Sequence, residues 1–470
     1  MNEFMNDNFL LKNKVAVNLY TNYAQNLPII DYHCHLDAKD IYEDVHFENI
    51  TGLWLSGDHY KWRFMRAAGI EEKFITGDAP DKDKFIKWSE ALSEAIGNPL
   101  YHWSHLELKK YFGFNSHITK ENAEELWFSL NNKLKENSMS AKSIIKASNV
   151  SLLCTTDDPA DNLYYHELLS KDNSFDTVVL PAFRPDNAMN INKPEYLTYL
   201  DKLGVSAGIT IDSFDALKEA VKSRMHYFND HGCLIADHGL TKMVYADYED
   251  SEIEKIFTER LKGNFPSKEN FEKFVTAFLL FVHTEYSKLN WTSQLHYGCR
   301  RDNNSKMFEQ IGPNTGFDAI EPDSGTSNLA PFFDRLCVDN SLPRTIVYSL
   351  NPEDNAAIDT IIACFNENPF VCKIQHGSAW WFNDHKPGME AHLEALAASG
   401  NLAGFVGMLT DSRSFVSYTR HDYFRRILCN YLGTLVENNE FPEDYAILSD
   451  IVEKICYKNA FNYFKFNLGK

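Results

Sequence analysis

The chain has 470 residues, 44% of them hydrophobic and 24% charged, which is the profile of an ordinary folded protein and not of a disordered or fibrous one. At this length ~75% of the unfolded chain's surface can be buried, so the fold needs neither disulfides nor a structural metal. The 46 basic and 66 acidic residues leave a net charge of −20, and so acidic a surface repels phosphate backbones and anionic lipid, which argues against nucleic-acid and membrane partners. The nine cysteines form no CxxC pair and several lie in apolar runs, as buried thiols of a reducing compartment do. The first residues carry acids without a signal-type apolar core, and the longest apolar run, Ala277–Val282, is far too short to span a bilayer. A soluble cytoplasmic protein is expected, with a homo-oligomer as its assembly.

In chain order, short β-rich runs ending in polar residues alternate with longer amphipathic stretches. Eight such runs occur: Ile29–His35, Ser151–Thr156, Thr177–Phe183, Gly232–Asp237, Trp291–Tyr297, Thr345–Leu350, Val371–His376 and Phe405–Thr410. Val205–Ile211 is a ninth candidate, an extra strand or a loop segment. Near-continuous apolar strands between helices predict a parallel sheet covered on both faces, and eight of them favour a closed (β/α)8 barrel over an open sheet. No GxGxxG follows the first run, which argues against a dinucleotide-binding start. About 115 residues separate the first two runs where a βαβ unit needs about 30. The intervening stretch reads as helix, for example Asp81–Ile96 and Lys120–Asn137, so residues 38–148 are expected to form a helical insertion capping the catalytic face of one barrel domain spanning 1–470.

In such a barrel chemistry gathers at the C-terminal ends of the strands. His33-Cys34-His35 ends the first run, and a strand's period of two turns both imidazoles to one side and Cys34 towards the helices. Two converging imidazoles are half of a divalent-metal site. Asp411 closes the eighth run, where an acid is costly unless it binds metal, pairs with a cation or moves protons; a helix N-cap is the plainer alternative. His296 ends the fifth run as a further ligand or a hydrogen-bonded core histidine, while His238 and His376 read as supporting partners or as structure. Arg184 and Arg413 at strand ends suggest a carboxylate clamp, against the alternative of salt bridges to the many acids. Asp58-His59-Tyr60-Lys61-Trp62-Arg63 is dense in titratable and aromatic groups, a functional stretch or a solvated helix start. Trp380-Trp381 reads as core or as a platform for a sugar ring or chain.

Taken together, DYHCHLDAKDI, GDHYKWRFMRAAGI, PAFRPD, WTSQLHYGCRRDNNSKMFEQIGPNTGFDAI, KIQHGSAWWFND and GMLTDSRSFVSYTRHDYFRRILCN, spread over residues 31–430, resemble the uronate (glucuronate) isomerases of the amidohydrolase superfamily. The resemblance implies a distorted (β/α)8 barrel with one divalent metal ion, zinc being the expected ion. It implies His33, His35 and Asp411 as ligands, with His296 at or close to the metal. Strand four has no lysine to bridge a second ion, consistent with a single metal. His59, Tyr60, Arg184 and Arg413 map to substrate-contacting or catalytic positions, and Trp380 and Trp381 map near the sugar chain. Asp302 departs from the Asn often found at its position. The implied reaction interconverts D-glucuronate with D-fructuronate and D-galacturonate with D-tagaturonate. Asp411 or Tyr60 would move the C2 proton to C1, with His59 donating to oxygen and Arg184 and Arg413 holding the substrate; a metal-assisted hydride shift is the competing chemistry. A metal-dependent amidohydrolase or decarboxylase using the same His/His/Asp set is the alternative function.

Overall fold

The computed structural model describes residues 4–468. Seven of the eight expected runs are strands, and all pairings among them are parallel. Ile29–Asp31 (β1), Val150–Cys154 (β2) and Val178–Leu180 (β3) form one sheet in that order. Ile235–Gly239 (β4) and Thr292–Tyr297 (β5) begin a second sheet. After β5 the chain makes a small antiparallel pair, Cys299–Arg300 (β6) with Ala319–Ile320 (β7). Arg344–Ser349 (β8) and Ile374–His376 (β9) then complete the second sheet in the order β4-β5-β8-β9. Every residue of β5 and β8 is buried, which explains why these runs are apolar throughout and do not alternate.

The two sheets join into a ring. Phe183, just past β3, donates its N–H to the Ile235 carbonyl at 2.9 Å, and its carbonyl accepts from the Asp237 N–H at 2.9 Å. On the far side the eighth run, 405–410, has no strand ladder. Gly407 explains this: its φ of +84° lies outside the range a strand allows, and a Cβ there would sit 2.1 Å from the Ile455 carbonyl oxygen. Side chains and flanking residues make the junction instead. The Gln375 side chain on β9 donates to the Gly404 carbonyl at 2.9 Å and accepts from the Val406 N–H at 3.2 Å. The Tyr32 hydroxyl donates to the Gly407 carbonyl at 2.7 Å, the Asp411 N–H to the His33 carbonyl at 3.1 Å, and the His35 N–H to the Ser412 carbonyl at 3.0 Å. The result is an α/β barrel distorted at its closing seam. Val205–Ile211 is not a strand: Val205–Ala207 end the helix Tyr196–Ala207, which Gly208 stops with a φ of +70°.

Between β1 and β2 the chain is helical. The expected helices at Asp81–Ile96 and Lys120–Asn137 are found at Asp81–Ser93 and Ala123–Leu134. Asn49 and Asp58 cap the helices Ile50–Leu55 and His59–Ala67 with their side-chain oxygens, and Asn98 with Pro99 starts Pro99–Glu107. All nine cysteines are free, five of them buried. Among the described residues no helix is long and apolar enough to cross a membrane.

Gly377, immediately after β9, is fixed by packing. A Cβ on it would lie 2.0 Å from the ring of Tyr348, a buried side chain whose hydroxyl donates to the Gln294 side-chain oxygen at 2.8 Å and whose ring stacks on His296 at 4.1 Å. Gly377→Ala is therefore expected to cost about 1–3 kcal/mol of stability through overpacking, read as a lower Tm. An unchanged Tm contradicts this packing.

Candidate active site

Strand parity decides which polar side chains meet inside the ring. On β4 Asp237 faces inward. His238, one residue on, faces the helix Lys268–Leu289, where its Nε2 lies 3.2 Å from the Tyr286 hydroxyl. On β5 Gln294 and His296 face inward while Ser293 turns out to His283. On β9 His376 faces outward to Asp359 at 2.9 Å and to the His392 ring at 4.5 Å. Both His238 and His376 are thus tied to the covering helices.

Inside, His33 and His35 converge on one oxygen. Their Nε2 atoms lie 3.2 and 2.9 Å from Asp411 Oδ1, while the Trp380 indole N–H donates to Asp411 Oδ2 at 2.7 Å. Asp411 caps no helix, and its φ of +45° is left-handed, a conformation that only tertiary contacts hold in place for a non-glycine residue. Burial by itself would raise its pKa, but hydrogen bonds from the two imidazoles keep it well below the usual carboxylate range. Behind His33 stands Asp237, 4.0 Å from its Nδ1. Asp237 accepts from His296 Nδ1 at 2.6 Å and pairs with Arg184 Nη1 at 3.1 Å, while Arg184 Nε donates to Asp186 at 2.8 Å. Burial would raise Asp237 as well, and Arg184, His33 and His296 hold it far down.

This donor set fits a divalent ion. His33, His35 and Asp411 form one group able to hold a metal, and His33, Asp237 and His296 form an overlapping one. Two donors each ~2.1 Å from a tetrahedral zinc lie roughly 3.4 Å apart, the scale of the separations at Asp411. The hydrogen bond from His296 Nδ1 to Asp237 fixes that ring's tautomer and leaves Nε2 buried and, among the described residues, without a hydrogen-bond partner, while the ring lies 4.8 Å from the His33 ring between centroids. Burial, working against Asp237, lowers the pKa of His296 and favours this neutral form.

A second wall comes from the helical segment. Arg413 Nη1 lies 3.3 Å from His59 Nε2, and the His59 ring packs edge-on to Trp381 at 4.9 Å. Burial drops the His59 pKa to about 4. The Tyr60 hydroxyl donates to Asp384 Oδ2 at 2.7 Å, and Arg301 lies over Trp381 at 5.4 Å. Arg184, expected as one arm of a carboxylate clamp or as a salt-bridge partner of an acid, is engaged by two carboxylates; Arg413 is exposed, and among the described residues its polar contact is His59. Asp302 takes a φ of +50° and donates its N–H to Asp318 at 2.8 Å, and its own Oδ1 accepts from the Asn314 N–H. Asp237, Asp384 and Tyr348 were missed. Asp237 carried a usable signal, since it ends an apolar run as Asp411 does and cannot share a face with the adjacent His238. Asp384 in WWFND carried none.

A ring of parallel strands covered by helices, with imidazoles and carboxylates collected at the C-terminal ends, defines a barrel enzyme with a cluster able to hold a metal ion. The sequence profile described as glucuronate isomerase matches residues 1–464, and the chain belongs to that family. A curated uronate isomerase of Lachnospira eligens is 53% identical over 468 residues, covering 100% of both chains, and one of Endomicrobium trichonymphae is 52% identical with the same coverage. The crystal structure of a uronate isomerase from Thermotoga maritima matches with a TM-score of 0.92 at 31% identity, over 98% of this chain and 100% of that one. A glucuronate isomerase from Caulobacter crescentus, 22% identical, shares the fold with a TM-score of 0.90, over 98% of this chain and 97% of that one. The chain is thus an enzyme of the aldose–ketose isomerase class, which displaces the hydrolase or decarboxylase alternative.

The Arg184–Asp237–His296 arrangement yields a stability prediction. Asp237→Asn removes a buried charge and leaves the Arg184 guanidinium with Asp186 alone. Chelator-treated protein is expected to lose about 3–5 kcal/mol in denaturant unfolding. A loss below about 1 kcal/mol contradicts the pairing, because that is the range of a solvent-exposed bridge.

Proposed function

We propose that the chain interconverts D-glucuronate with D-fructuronate, and D-galacturonate with D-tagaturonate, by moving the proton on C2 of the open-chain aldose to C1 through an enediol. The observation that carries this reading is the convergence of His33 and His35 on Asp411, facing the wall that holds His59, Tyr60 and Arg413. One divalent ion, zinc by the chemistry of its donors, would be held by His33, His35 and Asp411 with His296 beside it, and when bound it supplies an electrophile for negative charge developing on a substrate oxygen.

The remaining roles belong to the protein's own groups. Arg413, exposed and, among the described residues, free of a carboxylate, binds the substrate carboxylate in the bidentate manner of a guanidinium. Arg184, partly neutralised by Asp237 and Asp186, holds those acids in register and offers its remaining N–H groups to a substrate oxygen. Trp380 and Trp381 line the sugar chain, and residues 38–148 wall the site from solvent, delivering His59 and Tyr60. His59 is neutral at physiological pH and accepts from Arg413 at Nε2, so it gives a hydrogen bond from Nδ1 to a substrate oxygen and not a full positive charge. Asp411 has one oxygen between two imidazoles and the other on the Trp380 indole, which supports Tyr60 over Asp411 as the group that carries the proton between carbons.

Two measurements test this reading. Turnover of D-glucuronate in D2O is expected to put deuterium on C1 of the ketose; complete retention of the substrate's C2 hydrogen at C1 would point to a hydride shift and remove the base. Arg413→Met is expected to lower kcat/KM on D-glucuronate by roughly 30- to 1,000-fold, corresponding to about 2–4 kcal/mol of lost charge-assisted binding. Unchanged kinetics sink the clamp.

A further inference from the structure

Arg420 is a buried charge that the roles assigned so far do not use. It sits in the first turn of the helix Thr419–Glu437 and is 5% exposed. A guanidinium is almost never buried so far without partners, and here they come from three separate parts of the chain. Nη1 donates to the Thr410 carbonyl at 3.2 Å, on the peptide immediately before Asp411. Nη1 also stands 3.7 Å from Asp384 Oδ2 in the turn after β9, and that oxygen accepts from the Tyr60 hydroxyl at 2.7 Å. The guanidinium lies 4.3 Å from the Trp103 ring and 5.5 Å from the Tyr60 ring, both in the helical insertion and within cation–π range. Burial by itself would weaken the charge; Asp384 foremost, then Tyr60, Asp58 and Glu107, hold its pKa above the usual value.

Both ends of this linkage are stiff. The Thr410 N–H donates to Asp31 Oδ1 at 2.8 Å and its hydroxyl to Asp31 Oδ2 at 2.5 Å, at the end of β1 that leads into His33. With its carbonyl on Arg420, every polar group of Thr410 is bonded. On the other side the Asn383 side chain donates to the Leu350 carbonyl at 2.8 Å, and a Cβ on Gly388 would lie 2.1 Å from the Asn383 carbonyl oxygen, so the turn that carries Asp384 cannot drift. Neutralising buried acids is the plainer role, and Arg420 serves it for Asp384. The other two acids need it less. Asp58 has Lys61 as its own partner, and Glu107, raised to about 7 chiefly by burial, carries only part of a charge at neutral pH. A single ammonium would neutralise Asp384 as well. The planar fork is what lets one group face Asp384 and donate to Thr410 while lying against Trp103.

We propose that Arg420 is a positioning residue that sets the spacing between the Asp411 carboxylate and the Tyr60 hydroxyl, tying the peptide before the one to the carboxylate that holds the other. As a buried group it acts through these neighbours and not on the substrate. The inference rests on Asp411 and Tyr60 acting on one substrate molecule, as proposed above, and is indifferent to which of them moves the proton. Two groups that must meet neighbouring atoms of one sugar acid tolerate little error, since a misplacement of about 1 Å costs on the order of 100-fold in rate. The eighth segment cannot supply that precision by itself, because it has no strand ladder and Asp411 is held at a left-handed φ. Arg420 reaches across from the helix that follows the segment and joins it to the insertion that presents Tyr60.

The test compares metal-loaded wild type, Arg420→Lys, Arg420→Met, Tyr60→Phe and the Arg420→Lys/Tyr60→Phe pair on D-glucuronate. Each is assayed well below its Tm and counted per bound metal ion, so that a smaller folded fraction does not enter kcat. Arg420→Lys is expected to lose about 10- to 100-fold in kcat and Arg420→Met about 100- to 1,000-fold, with KM within about threefold in both. In Tyr60→Phe protein there is no hydroxyl to place, and adding Arg420→Lys is expected to cost less than about threefold more. Arg420→Lys that keeps kcat within about threefold of wild type, or that costs Tyr60→Phe protein as much as it costs wild type, overturns the proposal. Should Arg420→Met fail to fold, Arg420→Lys, which keeps the buried charge, decides alone. Tyr60→Phe that retains kcat within about threefold fails the reading of Tyr60 itself, and Arg420 with it; an impaired Tyr60→Phe beside an indifferent Arg420→Lys fails this inference alone.

Discussion

The site depends on holding the largely enclosed carboxylate of Asp411 at the closing seam. A carboxylate at the closing seam of an apolar ring, held at a left-handed φ, must be stabilised by what surrounds it, and two imidazoles and an indole N–H do so. The imidazoles can reach it because β1 and the eighth segment are joined by backbone hydrogen bonds on both sides of the cluster, from the Asp411 N–H to the His33 carbonyl and from the His35 N–H to the Ser412 carbonyl. The same bonds that close the barrel therefore set the distances at the site. Chemistry and fold are fixed at one seam, which is where the ladder is least regular.

Around this centre the charges are layered. Asp411 and Asp237 lie on either side of His33, and Asp237 is in turn neutralised by Arg184 and oriented by His296. Each buried charge thus has an opposite or a donor within reach, as burial requires. Arg413 is exposed and, among the described residues, pairs with no carboxylate, whereas Arg184 is engaged by Asp237 and Asp186. The inserted helices contribute the other wall, with Asp58 capping the helix that presents His59 and Tyr60.

Much of this was legible before the structure, for stated physical reasons. Apolar runs ending in polar residues located seven of the strands, because buried parallel strands must be apolar on both faces. His33 and His35 were readable as a pair because the strand period is two. The eighth strand failed at Gly407, whose close approach to Ile455 depends on a helix some fifty residues away and leaves no local trace. That Arg184 pairs with an acid was one of two readings, but which acid was hidden, because Asp237 reaches it only through the bridge that Phe183 makes between sheets. Asp384 was invisible, since its hydrogen bond from Tyr60 arises from a turn that meets a segment more than three hundred residues earlier. His238 and His376 drew attention as histidines at strand ends, although parity alone turns them towards the helices.

The central claim is that His33, His35 and Asp411 close on one divalent cation. Zinc X-ray absorption on protein loaded with one equivalent of the ion addresses it most directly. The account predicts a first shell of nitrogen and oxygen donors at ~2.0–2.1 Å with the outer-shell scattering of at least two imidazoles, and loss of that imidazole signal in His33→Ala/His35→Ala protein. A shell of water oxygens or of sulfur, or a spectrum that the double substitution leaves unchanged, would contradict it.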